Sequence, residues 1–174
     1  ADIDKDFTGR FEFLMDMSML GVGVGADTLG AGLVNIVKPE TNLEIYTVAD
    51  SREGWVALVK RILLAYIGKK RLPQEIDYSL LRPKGAPLKG FGGKSSGPGP
   101  LIDLVASIHS VLQLPEGLDT VPITTTQIVD LFNYIGKCVV SGGIRRTAEI
   151  MFGEPGDQEF IELKQDEEAL YDRR

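Results

Sequence analysis

The sequence predicts an α/β fold, and three observations predict it. Apolar residues recur at helical spacing in several separate segments. Short β-branched or alternating stretches lie between those segments. The 174 residues, 43% of them hydrophobic, are enough to bury one core and not comfortably two.

The elements follow in chain order. Thr8 is placed to cap a first helix carrying Phe11, Leu14, Met17 and Leu20, and the glycines from Gly21 to Gly25 end it. The alternation Gly21-Val22-Gly23-Val24-Gly25 suits a closely approached strand. Residues 29–39 read as a Gly-rich loop and a short strand, and residues 43–48 alternate well enough for another. Asp50, with Glu53 three residues on, resembles a capping box for the clearest helix, whose face is Trp55, Leu58, Val59, Ile62, Leu63 and Tyr66. Gly68-Lys69-Lys70-Arg71 closes it, with cations at the negative end of the helix dipole. Residues 76–81 are strand-like.

Residues 82–100, RPKGAPLKGFGGKSSGPGP, hold six Gly and four Pro and lead into a helix over about residues 101–112. Thr124 and Gln127 form a second possible capping box, before a helix that buries Ile128, Leu131, Phe132 and Ile135 and runs out at Cys138-Val139-Val140. Residues 148–152 read as a short buried strand. From Asp157 to about Tyr171 the pattern is an acidic amphipathic helix with Phe160, Ile161 and Leu163 as its apolar part.

Composition excludes several classes. The chain is too apolar for disorder, and one cysteine allows neither an internal disulfide nor a Cys-based zinc site. No apolar run approaches a membrane span, and the acidic start is not a signal peptide. The absence of an initiator Met fits processing or a piece of a longer chain, and the expected compartment is the cytoplasm. The net charge of −6 is unevenly placed: −6 over residues 1–51, +7 over 52–94, −2 over 95–153 and −5 over 154–174. An acidic chain is not the usual nucleic-acid binder. The basic block can serve a smaller anion such as a nucleotide phosphate, or it can be a solvated face.

Gly21-x-Gly23-x-x-Ala26 matches a loose dinucleotide fingerprint, but a helix pattern precedes it where a strand is required, so close strand packing is the reading adopted. Gly93-Lys94-Ser95 resembles the end of a Walker A loop, yet position 88 is Leu where that motif needs Gly. The Gly-rich turn beside Lys84, Lys89 and Lys94 remains open between a phosphate cradle and a surface loop. Ser141-Gly142-Gly143-Ile144-Arg145-Arg146 is open in the same way, between an anion-gripping loop and a helix end followed by surface arginines. Cys138 reads as a buried inert thiol and His109 as structural, and no cluster has metal-ligand spacing.

Five groups of strings, in order, resemble one family. They are Phe11-Glu12-Phe13-Leu14-Met15-Asp16 with Met19-Leu20-Gly21-Val22-Gly23-Val24-Gly25; Asp50-Ser51-Arg52-Glu53-Gly54-Trp55; Asp77-Tyr78-Ser79 with Arg82-Pro83-Lys84-Gly85-Ala86-Pro87; Gly90-Phe91-Gly92-Gly93-Lys94-Ser95-Ser96-Gly97-Pro98; and the 141–146 string running on through Thr147-Ala148-Glu149-Ile150. Together they are similar to adenosylcobalamin-dependent (class II) ribonucleotide reductases, in their monomeric, ribonucleoside-triphosphate form.

The resemblance implies part of a ten-stranded α/β barrel with effector-binding helices and loops, in an enzyme that reduces ribonucleotides to deoxyribonucleotides for DNA synthesis through a thiyl radical. It implies a ribonucleoside triphosphate substrate, a dithiol reductant such as thioredoxin, a monomeric parent, and no nucleic acid or membrane partner. The radical cysteine, one redox cysteine and the adenosylcobalamin region would lie outside these residues, so no catalytic, cofactor or metal residue is assigned and the chain alone is expected to be inactive. What remains is similar to the specificity-control portion, where a deoxynucleoside triphosphate effector decides which base is accepted. The implied effector-binding residues are Asp50, Ser51, Lys84, Gly85 and Lys89. The implied specificity loop is Ser141, Gly142, Gly143, Ile144, Arg145 and Arg146. Residues 26–71 are the candidate for an insertion that replaces a second subunit's surface, within a single segment of residues 1–174. The alternative is a non-enzymatic nucleotide-binding regulatory module.

Overall fold

A computed structural model describes residues 3–88, 92–141, 146–163 and 165. In chain order the elements are α1 (Ile3–Met19), β1 (Val24–Asp27), β2 (Asn35–Val37), β3 (Ile45–Thr47), α2 (Arg52–Tyr66), β4 (Glu75–Asp77), α3 (Gly99–Val111), β5 (Thr120–Pro122), α4 (Thr125–Val140), β6 (Glu149–Phe152) and α5 (Gln158–Glu162). Helices and short strands are mixed throughout, as expected. The described strands pair into three two-stranded sheets: β1 with β6 in parallel, β2 with β5 antiparallel, and β3 with β4 in parallel.

Four helices hold the core. α1 buries Phe7, Phe11, Leu14, Met15 and Met19, a stripe at helical spacing. Phe11 stands edge-on to Phe7 at 5.3 Å and to Phe132 of α4 at 6.4 Å, which joins the two helices through aromatic contact. α2 packs along α1 with Leu58, Val59, Ile62 and Leu63, all fully buried, and α3 packs along α4 with Leu101, Leu104 and Ile108 against Leu131 and Ile135. Each such side chain contributes roughly 1.5–3 kcal/mol on burial.

Several element ends differ from expectation, each for a local reason. α1 starts at Ile3, and Thr8 sits inside it, 2% exposed. Burial of Phe7, one residue earlier, is worth more than a cap of about 1 kcal/mol. The helix stops at Met19, so Leu20 falls outside it and is 39% exposed. The N-cap of α2 is Ser51 rather than Asp50: its Oγ accepts from Gly54 N–H at 3.0 Å. Asp50 is thereby left to an arginine, described below. The Thr124–Gln127 capping box forms in full, with Gln127 N–H to Thr124 Oγ1 at 3.2 Å and Thr124 N–H to Gln127 Oε1 at 3.0 Å.

β6 was expected to be buried, yet Ile150 and Phe152 are more than half exposed. One face of the β1–β6 sheet meets α4 and the other meets solvent. β5 was not anticipated, because Thr120-Val121-Pro122 is too short to show a period, and its register, Asn35↔Pro122 to Val37↔Thr120, is set by β2. Among the described residues α5 is five residues long, with Asp157 as its cap, and the expected continuation over 166–171 lies outside them.

Candidate functional site

Three pieces of chain converge at the N-terminal end of α3. The first is a hairpin whose described arms are residues 84–88 and 92–97. Gly85 N–H donates to Ser95 O at 2.8 Å, Ser95 N–H to Ala86 O at 2.7 Å and Leu88 N–H to Gly93 O at 3.0 Å, and Pro87 bridges Lys94. The hairpin is folded back on itself at Gly97, whose N–H donates to Ser95 Oγ at 3.0 Å. Gly97 has φ +77°, and a Cβ there would lie 2.9 Å from Lys84 N. Both the left-handed backbone and the close approach require glycine.

The second piece is α3 itself. Pro98 caps it without a side-chain bond and Pro100 lies in its first turn, where a missing N–H costs nothing. Its positive dipole end opens toward the hairpin. The third piece is Ser141, directly after α4. Its Oγ donates to Lys137 O at 2.6 Å and lies 3.1 Å from Cys138 O.

Between the three lies a cleft of about 750 Å³, lined by Lys84, Gly85, Lys94, Ser95, Ser96, Gly97, residues 98–100, Asp103 and Ser141. The volume suits a ligand of nucleotide size. Two ammonium groups, serine hydroxyls and a helix N-terminus suit a polyanion. Asp103 is the exception: a carboxylate in that wall repels phosphate and accepts from a hydroxyl or amino group.

Asp50 reaches this cleft at one remove. Its Oδ2 accepts from Arg82 Nε at 2.8 Å, two residues before Lys84, while Ser51 anchors α2 beside it. The approach to Arg82 is set by Asp77, which accepts from Ser79 N–H at 2.9 Å and from Thr47 Oγ1 at 3.3 Å. Those donors, the Ser79 amide first, hold its carboxyl below the usual carboxylate range.

Lys84, Gly85 and Ser141 thus share one cavity, and Asp50 and Ser51 stand behind it. Lys89, Gly142, Gly143, Ile144 and Arg145 lie outside the described residues, and Arg146 is exposed at the far end of the string. Sequence reasoning named Lys94 in the turn without assigning it, and missed Arg82 and Asp103. Arg82 carried a signal, since it opens the Gly/Pro-rich segment; Asp103 carried none.

Two other groups lie outside this cleft. Tyr66 Oη and His109 Nδ1 lie 2.7 Å apart. Burial raises the tyrosine's pKa and lowers the histidine's. Cys138 is 5% exposed. Among the described residues no group of three or more His, Cys, Asp or Glu could hold a metal ion, and no helix is long and apolar enough to cross a membrane.

A sequence profile of the B12-dependent ribonucleotide reductase insertion domain matches residues 24–112. The chain belongs to the B12-dependent ribonucleotide reductases. It is 49% identical over 166 residues to an adenosylcobalamin-dependent ribonucleoside-triphosphate reductase of Euglena gracilis, covering 94% of this chain and 22% of that protein. It is 46% identical over 181 residues to a probable reductase of the same name from Dictyostelium discoideum, covering 94% of this chain and 23% of that protein. A crystal structure of a B12-dependent (class II) ribonucleotide reductase superposes with a TM-score of 0.73 at 28% identity, covering 94% of this chain and 27% of that one. The chain therefore spans about a quarter of the length of the reductases it matches. The profile of this reductase family takes in Asp50, Ser51, the hairpin and Asp103, and the pairwise matches extend over nearly the whole chain.

Proposed function

We propose that this chain acts within a ribonucleoside-triphosphate reductase, where its cleft binds a deoxynucleoside triphosphate and the 141–146 string carries the identity of that effector to the substrate site. The observation that supports this reading is the meeting of Lys84, Gly85 and Ser141 around one cleft of nucleotide size. The lysines and the α3 N-terminus take the phosphates. Asp103 accepts from a sugar hydroxyl or base amino group. Ser141 places the first residue of the string against the ligand, so a change of base at the cleft alters the shapes open to the glycines that follow. The sequence profile, described as an insertion domain, supports reading residues 26–71 as part of an insertion that stands in for a second subunit in a monomeric enzyme.

The reductive chemistry belongs elsewhere in such an enzyme. A dithiol needs two cysteines and this chain has one, buried at the end of α4. Nor does the cleft described above fit an adenosylcobalamin site: its wall is lysine, serine, glycine, proline and one aspartate, and it includes neither Cys138 nor His109. Reduction of the ribonucleotide, by a reductant of the thioredoxin kind, is thus assigned to the remainder of the enzyme.

Binding of deoxynucleoside triphosphates, followed by calorimetry on the full-length reductase, tests the reading. Lys84→Ala with Lys94→Ala should weaken it at least tenfold. Arg145→Ala with Arg146→Ala should scramble base preference more than it lowers turnover. Unchanged affinity in the first variant and an unchanged effector response in the second would overturn it.

A further inference from the structure

The described residues on either side of 142–145 form two supports. On one side α4 ends at Val140, and Ser141 is tied to its last turn. On the other, Thr147 Oγ1 donates to Val22 O at 2.8 Å and lies 3.3 Å from Ser18 Oγ, Val24 N–H donates to Ala148 O at 2.9 Å, and β6 begins at Glu149. The two supports touch directly where the Glu149 carboxyl sits against Gly136 of α4. A Cβ at position 136 would occupy the space of that carboxyl group. Glu149 Oε1 is fully buried there and has no hydrogen-bond partner among the described residues.

We infer that Glu149 is a positioning residue for the 141–146 string: its carboxyl, seated in the notch Gly136 leaves in α4, sets the spacing between the two supports. This rests on the reading of the string as the specificity loop. The contact is open only to a neutral acid, because a carboxylate buried without a donor is strongly disfavoured. Burial alone pushes the Glu149 pKa up to about 7. The charged groups on the elements packed against β6 are Asp27 on β1 and Asp130 and Lys137 on α4. None contributes to that shift. Asp27 pairs at the far end of the register, opposite Phe152, and faces Arg10, while Lys137 lies over the Tyr134 ring. The seat therefore favours the protonated acid and weakens as pH rises through about 7.

The test is made on the full-length reductase, by measuring the change in base preference that each deoxynucleoside triphosphate induces at pH 6 and pH 8, with melting temperature recorded alongside. Wild type should lose most of its effector-induced change between the two values. Glu149→Gln, neutral at every pH and of the same shape, should keep it at both. Glu149→Ala should lose it at both while still melting cooperatively. A Glu149→Gln enzyme that follows the wild-type pH profile, or a Glu149→Ala enzyme with the full response, overturns the role of Glu149 and leaves the loop reading intact. A wild type whose base preference ignores effector at both pH values overturns the loop reading and this inference with it.

Discussion

Asp50 and Arg82, 32 residues apart in sequence, join side chain to side chain at 2.8 Å and tie the start of α2 to the segment that opens the cleft hairpin. The bond is local in space and remote in sequence. It makes the position of Lys84 depend on α2, whose N-terminus Ser51 has already fixed.

Breaking that bond should cost little stability and more binding. Both side chains are one-third exposed, so the pair is worth about 0.2–1 kcal/mol to the fold. Asp50→Asn and Arg82→Leu are each expected to lower the melting temperature by no more than a few degrees, yet to weaken deoxynucleoside triphosphate binding several-fold. A double-mutant cycle on the binding constants should show coupling between the two sites. Additive losses would mean that the pair does not act as a unit.

Gly97→Ala should be worse than its small size suggests. The new methyl meets Lys84 N in a backbone region that costs an L-residue roughly 1–2 kcal/mol before any clash. The hairpin must shift to accept it, and Lys84 moves with it. Reduced binding with an otherwise intact core, read by calorimetry and near-ultraviolet circular dichroism, is the expected result. Gly9→Ala, in α1 and outside the cleft, meets nothing within 4 Å and serves as the control.

How far these features were legible in the sequence differs by kind. The buried faces of α2, α3 and α4 follow from apolar spacing, because helix and core share one period. The Thr124–Gln127 box was legible because its whole geometry lies within four residues. The choice between Asp50 and Ser51 as cap was not, because both types cap well and the deciding partner, Arg82, is 32 residues away. β5 and the open face of β6 depend on register and on what covers a sheet, which short strands do not encode. The Gly/Pro-rich segment announced a special backbone. That it closes through Gly85 and Ser95 and faces Asp103 and Ser141 is tertiary, and no local pattern carried it.

Thr124→Ala removes a cap that is made in both directions. The loss should be about 0.5–2 kcal/mol. That corresponds to roughly 1–8 °C in melting temperature for a chain of this size. Because α4 carries Ser141 only at its other end, 17 residues from Thr124, binding in the cleft should be nearly unchanged when measured well below the melting point. A large loss of binding would show that the helix moves as a rigid body with its cap.

Glu149 gives the fold itself a pH dependence. An acid whose pKa is higher folded than unfolded holds its proton more tightly in the folded state. Stability is then full at low pH and declines as pH rises from the ordinary carboxylate value of 4.5 through about 7, beyond which the loss is complete. This slope is opposite to that of Asp77 and Asp157, whose carboxyls are lowered by hydrogen bonds and favour the fold above the ordinary carboxylate range. Denaturant melts at pH 5, 6, 7 and 8 should show wild type weakening across that window relative to Glu149→Gln, with the two differing most at pH 8. Because the side chain is only half-buried, solvent screening makes the difference smaller than for a fully enclosed carboxyl. Curves that run parallel over the whole range would mean that Glu149 is ionised in the folded chain and that its seat on Gly136 is made by a carboxylate.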